Sequence, residues 1–293
     1  MRLRRVYSLT VVLIFVWAAT AWAIHPNAEF LVEPSWLQAN LQNPNLRIID
    51  MSTEKKDYLA GHVPGAAYVH VNEVREQVPE GGFRLRGAEE TAALLGRLGI
   101  GNSTSVIIYD DMGGLHASRL FFTLEVFGHH RMALLNGGIQ AWKSQGRPLT
   151  QNVPTVAPQQ YGAKLGVERV ATAEWILTHL KDPSVRILDL RSPKEYRGED
   201  VRAKRGGHIP GAKNIEWTAF LNPDKTFKSA DELRALLLTQ GLTPDKTIVT
   251  YCQIHHRSAH GYFVLRLLGY DKVRGYDRSW AEWGNRDDVP IER

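Results

Sequence analysis

The chain has a single cysteine, Cys252, in 293 residues. No intramolecular disulfide is therefore available, and a cysteine-rich zinc site is excluded. Charge of one sign is also scarce. The formal excess is +5, and residues 1–23 hold Arg2, Arg4 and Arg5 but no acidic residue, so the remainder carries 5 − 3 = +2. So small an excess gives no electrostatic reason to expect a nucleic acid partner. Low-complexity tracts are missing too, and the length suits two domains that each bury a core.

The longest apolar run lies at the N-terminus. "MRLRR" is basic, "VYSLTVVLIFVWAAT" is apolar, and "AWA" (Ala21, Trp22, Ala23) has a small-x-small pattern. That three-part layout is a secretory signal peptide over residues 1–23. The expectation is an exported, periplasmic protein with no membrane span once the signal is removed. The alternative is an uncleaved anchor, for which the apolar run is short of the roughly 20 residues a span needs. An exported lone thiol is a liability unless it is buried or used.

The rest of the chain is a duplication. "LRIIDMSTEKKDYLAGHVPGAAYV" (Leu46–Val69) is answered by "VRILDLRSPKEYRGEDVRAKRGGHIPGAKNI" (Val185–Ile215). "STSVIIYDDMGGLHASRLFFTLEVFG" is answered by "TIVTYCQIHHRSAHGYFVLRLLG" (Thr247–Gly269), and "NGGIQAW" by "DRSWAEW". Between the copies, "TQNVPTVAPQQYGAKLG" has two prolines and neither helical nor strand periodicity, which reads as a surface linker. The division is a first domain over 27–150, a linker over 151–169 and a second domain over 170–293. Short Val- and Ile-rich runs alternate with helical patterns, so each half is an α/β domain, an open, mainly parallel sheet with helices on both faces.

In such sheets ligands bind beyond the carboxyl ends of the strands. "TIVTY" ends at Tyr251, which makes Cys252 the first residue past a strand. Gln253, Ile254, His255 and His256 then form a tight loop that runs through Arg257 into a helical pattern. Amides of such a loop at a helix N-terminus can turn toward the sulfur and favour its anion. His255 and His256 either titrate near neutrality and tune that charge, or pack the loop.

The chain resembles two-domain rhodanese-type sulfurtransferases of the thiosulfate/3-mercaptopyruvate superfamily. The resemblance rests on both "GH(V/I)PGA" segments, "LLNGG", "YD-x-SWAEW" and the "CQIHHR" loop, which is similar to a bacterial group with CQ-x-HHR. It implies that the second half is catalytic and the first half an inactive copy with Asp110 at the cysteine's place. It further implies a Cys252 persulfide, loaded by a small anionic donor (thiosulfate or 3-mercaptopyruvate) and discharged to a thiophilic acceptor such as cyanide. No cofactor and no metal are implied. Arg191 and Arg197 match arginines that bind the donor in related enzymes, and Arg257 either adds positive charge or braces the loop. Arg278 stands where many relatives have glycine. With its own interface between halves, the chain is expected to be a monomer.

Three rival readings use the same residues. Cys252, His255, His256 and His260 are close in sequence, but adjacent histidines point apart, which weakens a metal site. A phosphatase loop has Cys-x5-Arg where this one has Cys-x4-Arg, one residue short for a tetrahedral phosphate. A persulfide carrier without turnover would keep the same loop. His62, His208, Asp50, Asp189, Trp142 and Trp283 recur in both halves and read as structural.

Overall fold

The computed structural model describes residues 25–293, and the leader expected over 1–23 lies outside the described residues. Each half builds a five-stranded sheet whose neighbouring strands all run parallel. In the first half the order is Leu31–Val32, Met132–Leu135, Ser105–Tyr109, Leu46–Asp50 and Ala66–Tyr68. In the second it is Lys213–Asn214, Val185–Asp189, Thr247–Tyr251, Val273–Tyr276 and Val170–Ala171. The central strands read as unbroken Val, Ile and Leu because both faces are covered.

Registration is alike in the two copies. Asp50 lies opposite Tyr109, and Asp189 opposite Tyr251, at the carboxyl ends of paired strands. The Tyr109 hydroxyl accepts the Val63 N–H at 3.2 Å, and the Tyr251 hydroxyl accepts that of Ile209 at 3.2 Å. The repeated histidines are structural in both halves: His62 stacks on Tyr58 and His208 on Tyr196, with ring centroids 3.8 and 3.7 Å apart. Trp142 and Trp283 are buried and donate to the carbonyls of Pro148 and Pro290.

The helices Leu115–Val126 and Arg257–Leu267 pack on each other across the halves. Neither has a polar face: every residue from Ala117 to Val126 and from Ser258 to Leu267 is buried. Phe121 meets Phe263 edge-on at 5.0 Å, and Phe122 meets Tyr262 at the same distance. One polar cluster trapped there is paired, since Tyr262 and Arg266 both donate to the Glu125 carboxylate. One hydrophobic core therefore runs through both halves. Residues 151–166 have no regular element and run along the first half, where the Gln159 N–H reaches the Gly96 carbonyl.

An antiparallel hairpin of the first half, Glu76–Gln77 with Phe83–Arg84, reaches over the second half. A Cβ at Gly82 would come 2.7 Å from that of Ala281, so the tip fits there only as glycine. Arg278 anchors the same tip through an ion pair to Glu80. No helix among the described residues is long and apolar enough to cross a membrane.

Candidate active site

Cys252 follows the last strand residue and is 1% exposed. Its backbone is held by the turn that opens the helix Ser279–Trp283. The Cys252 N–H donates to the Ser279 hydroxyl, and the Cys252 carbonyl accepts the Trp280 N–H. Ser279 has φ +52°, an unusual value for a residue with a side chain. Its first-half counterpart, Gly138, also has a positive φ, and a Cβ there would lie 2.2 Å from the Asp110 carbonyl oxygen. The "RSW" and "NGG" segments thus perform one task, fixing the strand end from which each loop departs.

Among the described residues, one side-chain hydrogen bond reaches the sulfur, from Ser258, whose Oγ lies 3.5 Å from Sγ. Loop amides were the donors expected from the sequence. The first half explains the difference. There Asp110 Oδ1 accepts the N–H groups of Met112 (2.9 Å) and Gly114 (2.8 Å), and Oδ2 those of His116 (2.7 Å) and Ala117 (2.9 Å). The loop amides converge on atoms two bonds beyond Cβ, whereas Sγ is only one bond beyond. Adding the offset between the copies, 252 − 110 = 142, the corresponding residues of the second loop are Ile254, His256, Ser258 and Ala259.

The three arginines proposed from the sequence fall in three different settings. Arg257 opens the helix Arg257–Leu267 and grips Glu195 through two hydrogen bonds, of 2.6 and 2.8 Å. Burial works against its charge, but Glu195 and the nearby Cys252 sulfur favour it and hold its pKa above the usual arginine value. Burial pushes the Glu195 carboxyl up, yet Arg257 and the Ser192 N–H outweigh it and bring its pKa down to about 2. The pair stays ionised across the working range of pH. Arg191 is buried behind the loop: Nε and Nη2 bind Asp189, Nη2 also donates to the Gly207 carbonyl, and the guanidinium lies 4.4 Å from the Trp280 ring centre. Those N–H groups are committed to the protein, which makes Arg191 a wall of the site. Arg197 is half exposed and pairs with Glu199 at the surface; the structure does not bring it to Cys252.

His255 makes the loop's sharp turn at φ +57°, in the place where the first half has Gly113 at φ +72°. Its ring is fully buried against Phe122 of the first half. Burial, with the charge of Arg119, pushes its pKa well below 6.5. His256 accepts from Arg75 at 2.5 Å, and burial, Arg75 and Arg119 push its pKa down likewise. Neither histidine titrates near neutrality, so tuning of the loop by their charge is set aside. Gln253 turns outward to the Arg202 carbonyl, and Ile254 is partly exposed beside it. His260 donates its Nε2–H to the Gly113 carbonyl at 3.1 Å, inside an aromatic box with Phe227 and Trp217. With the three histidines so dispersed, no group of three or more His, Cys, Asp or Glu among the described residues is placed to hold a metal ion.

First-half residues that sequence reasoning missed complete the surroundings. Arg75 lies on the Phe83 ring and reaches His256, while Arg119 is buried with its Nη1 on Asp277. Asp277 also accepts the Leu85 N–H of the hairpin. No motif joins these residues; only the packing of the two halves brings them together.

Comparison with known proteins agrees with this geometry. The model of the rhodanese-like domain matches residues 33–145 and again 172–286. The thiosulfate sulfurtransferase of Azotobacter vinelandii is 40% identical over 262 residues, 89% of this chain and 96% of that protein. The sulfur carrier protein TtuD of Thermus thermophilus is 42% identical over 92% of this chain and 98% of its own. Among solved structures, the anaerobic ergothioneine biosynthesis enzyme from Chlorobium limicola superposes with a TM-score of 0.83 and 25% identity, covering 91% of this chain and 71% of that one. A duplicated parallel sheet, a thiol at the strand end of one copy and relatives of matching length lead to one assignment: the chain belongs to the rhodanese family, carries its domain twice, and is a sulfurtransferase.

Proposed function

We propose that the protein moves sulfane sulfur from thiosulfate to cyanide or another thiophilic acceptor through a persulfide on Cys252. The observation that carries this reading is the filled cradle of the first half. A carboxylate oxygen of Asp110 and the outer sulfur of a cysteine persulfide are both two bonds from Cβ, and both bear negative charge. The four amides on Asp110 mark where the second loop would hold the persulfide. In the first step the Cys252 thiolate attacks the outer sulfur of thiosulfate. The S–S bond of the donor breaks with its electron pair going to sulfite, which takes up the charge lost by Sγ, while the outer sulfur keeps its negative charge in Cys–S–S⁻. In the second step cyanide attacks that outer sulfur, leaves as thiocyanate, and returns the thiolate. Arg257, held by Glu195, supplies positive charge beside the reacting sulfur. No oxidant or reductant is consumed.

Two donors and a carrier role compete, and one set of measurements separates them. The protein is expected to turn over with thiosulfate and cyanide faster than with 3-mercaptopyruvate and cyanide. Intact-mass analysis after thiosulfate alone is expected to find one added sulfur on Cys252. A faster rate with 3-mercaptopyruvate reassigns the donor. A lasting persulfide without thiocyanate production supports the carrier role, the name borne by the 42%-identical relative.

Export to the periplasm is supported by the leader pattern of residues 1–23. N-terminal sequencing of protein from the periplasmic fraction is expected to begin at Ile24. Recovery only with membranes, beginning at Met1, would mean an anchor instead. Two domains already sharing one core favour a monomer.

A further inference from the structure

We propose that Ser258 is a catalytic residue of the discharge step, giving its hydroxyl proton as a hydrogen bond to the Cys252 sulfur as it leaves, and that His255 is the positioning residue that aims that hydroxyl. The proposal rests on the persulfide reading of Cys252. Ser258 Oγ lies 3.5 Å from Sγ and 2.7 Å from His255 Nδ1, and all three residues are buried. The serine is the second residue of the helix Arg257–Leu267, so its backbone is fixed by the helix.

A hydroxyl has one proton to give, so the direction of the chain is decided by the histidine. If Nδ1 carries a proton, it donates to Oγ and the serine proton is free to point at sulfur. In the other tautomer Nδ1 takes the serine proton, and the proton on Nε2 is buried. His255 Nε2 is buried with no hydrogen-bond partner. A buried acceptor without a donor is tolerated better than a buried N–H without an acceptor. The surroundings thus favour Nδ1–H, Oγ–H and sulfur in series. The imidazole is also prevented from turning. Phe122 lies edge-on at 4.5 Å, and a Cβ on Gly275 would come within 2.6 Å of Cε1, so that strand position accepts only glycine beside the ring. The charged groups facing the ring and the sulfur are Arg119 from the first half and Arg257 from the loop, both cations, which disfavours an imidazolium here. His255 therefore aims the hydroxyl and does not store the thiol's proton.

The two half-reactions use this hydrogen bond in opposite ways. During loading, negative charge leaves Sγ for the sulfite group, and a donor on Sγ gives no help once the thiolate exists. During discharge, charge arrives on Sγ as the S–S bond of the persulfide breaks, and a donor aimed at Sγ stabilises the developing thiolate. Removal of the hydroxyl should slow discharge selectively. Arg257, which serves both the donor and the sulfur, should affect both steps.

The test is a comparison of single half-reactions. Persulfide is formed on wild-type and Ser258→Ala protein with inorganic polysulfide, and its loss on mixing with cyanide is followed by rapid quench. Ser258→Ala is expected to discharge about 10-fold more slowly, the effect of one hydrogen bond to a charged group. Sulfite release from thiosulfate, measured at alkaline pH, is expected to change less than about 2-fold, and Ser258→Thr to recover most of the discharge rate. His255→Asn keeps an N–H donor near Nδ1 and tolerates a positive φ, whereas His255→Ala loses the donor. Asn should discharge close to wild type and Ala close to Ser258→Ala, so that rescue by Asn separates aiming of the hydroxyl from mere packing of the ring. Equal slowing of loading and discharge, or unchanged discharge in Ser258→Ala, overturns the proposal. Loading by polysulfide keeps this test separate from donor choice: a wild-type chain that takes sulfur from polysulfide but not thiosulfate refutes the donor reading alone.

Discussion

Cys252→Ser is expected to reduce sulfur transfer by on the order of 10³-fold or more while leaving the fold intact. Serine is nearly the same shape, but its hydroxyl stays protonated at any working pH and cannot leave as a thiolate does. The loop backbone does not depend on the sulfur, because Ser279 and Trp280 hold Cys252 through its N–H and carbonyl. The melting temperature should therefore move by only a few degrees. No second thiol can compensate, since Cys252 is the only cysteine. Placing one in the first half should not help either. In the doubly changed protein, Asp110→Cys with Cys252→Ser, the new thiol would have Leu115 where the second half has Arg257 and Ser52 where it has Arg191. Release of sulfite from thiosulfate and formation of thiocyanate would both be measured. Residual turnover of a few per cent in Cys252→Ser would place the chemistry elsewhere.

The features legible in the sequence are those that local pattern and repetition control. Strand runs ending in Asp50 and Asp189, paired "GH(V/I)PGA" turns and a cysteine one residue past a strand all follow from period and position. The site's finer order does not. Arg191 and Arg197 stand six residues apart in one segment, yet one is buried on Asp189 and the other is at the surface on Glu199. Their fates depend on whether Trp280 covers them, which no local pattern encodes. Arg75 and His256 touch across 181 residues of sequence, and Arg119 and Asp277 across 158. The charge state of His255 follows the same logic. Its neutrality comes from Phe122, Gly275 and Arg119, residues that only the packing of the two halves brings to the ring. Ser258 was in plain view beside Arg257, but a serine opening a helix is ordinary until its hydroxyl is seen between a thiol and an imidazole.

Asp110→Ala is expected to destabilise the protein by about 3–5 kcal/mol, although Asp110 belongs to the half without a thiol. The substitution removes a buried carboxylate that accepts four N–H groups and leaves those donors without their acceptor. At roughly 2–4 °C for each kcal/mol in a domain of this class, the loss corresponds to a fall in melting temperature of about 10 °C. Asn is no remedy. Its amide oxygen could satisfy Met112 and Gly114, but its NH₂ would then meet the N–H groups of His116 and Ala117, donor against donor. Asp110→Asn should accordingly be destabilised almost as much as Asp110→Ala, the reverse of what a conservative change normally does. A small carboxylate should fit the emptied cradle, so formate at tens of millimolar is expected to raise the melting temperature of Asp110→Ala and not that of the wild type. The damage should also reach the catalytic half, because the loop of Asp110 leads into the helix Leu115–Val126 that packs on Arg257–Leu267, and Gly113 bonds His260. Thermal unfolding with and without formate decides the matter. An Asp110→Ala protein melting within about 2 °C of wild type would mean that the four hydrogen bonds contribute little and that the first loop is held by packing alone.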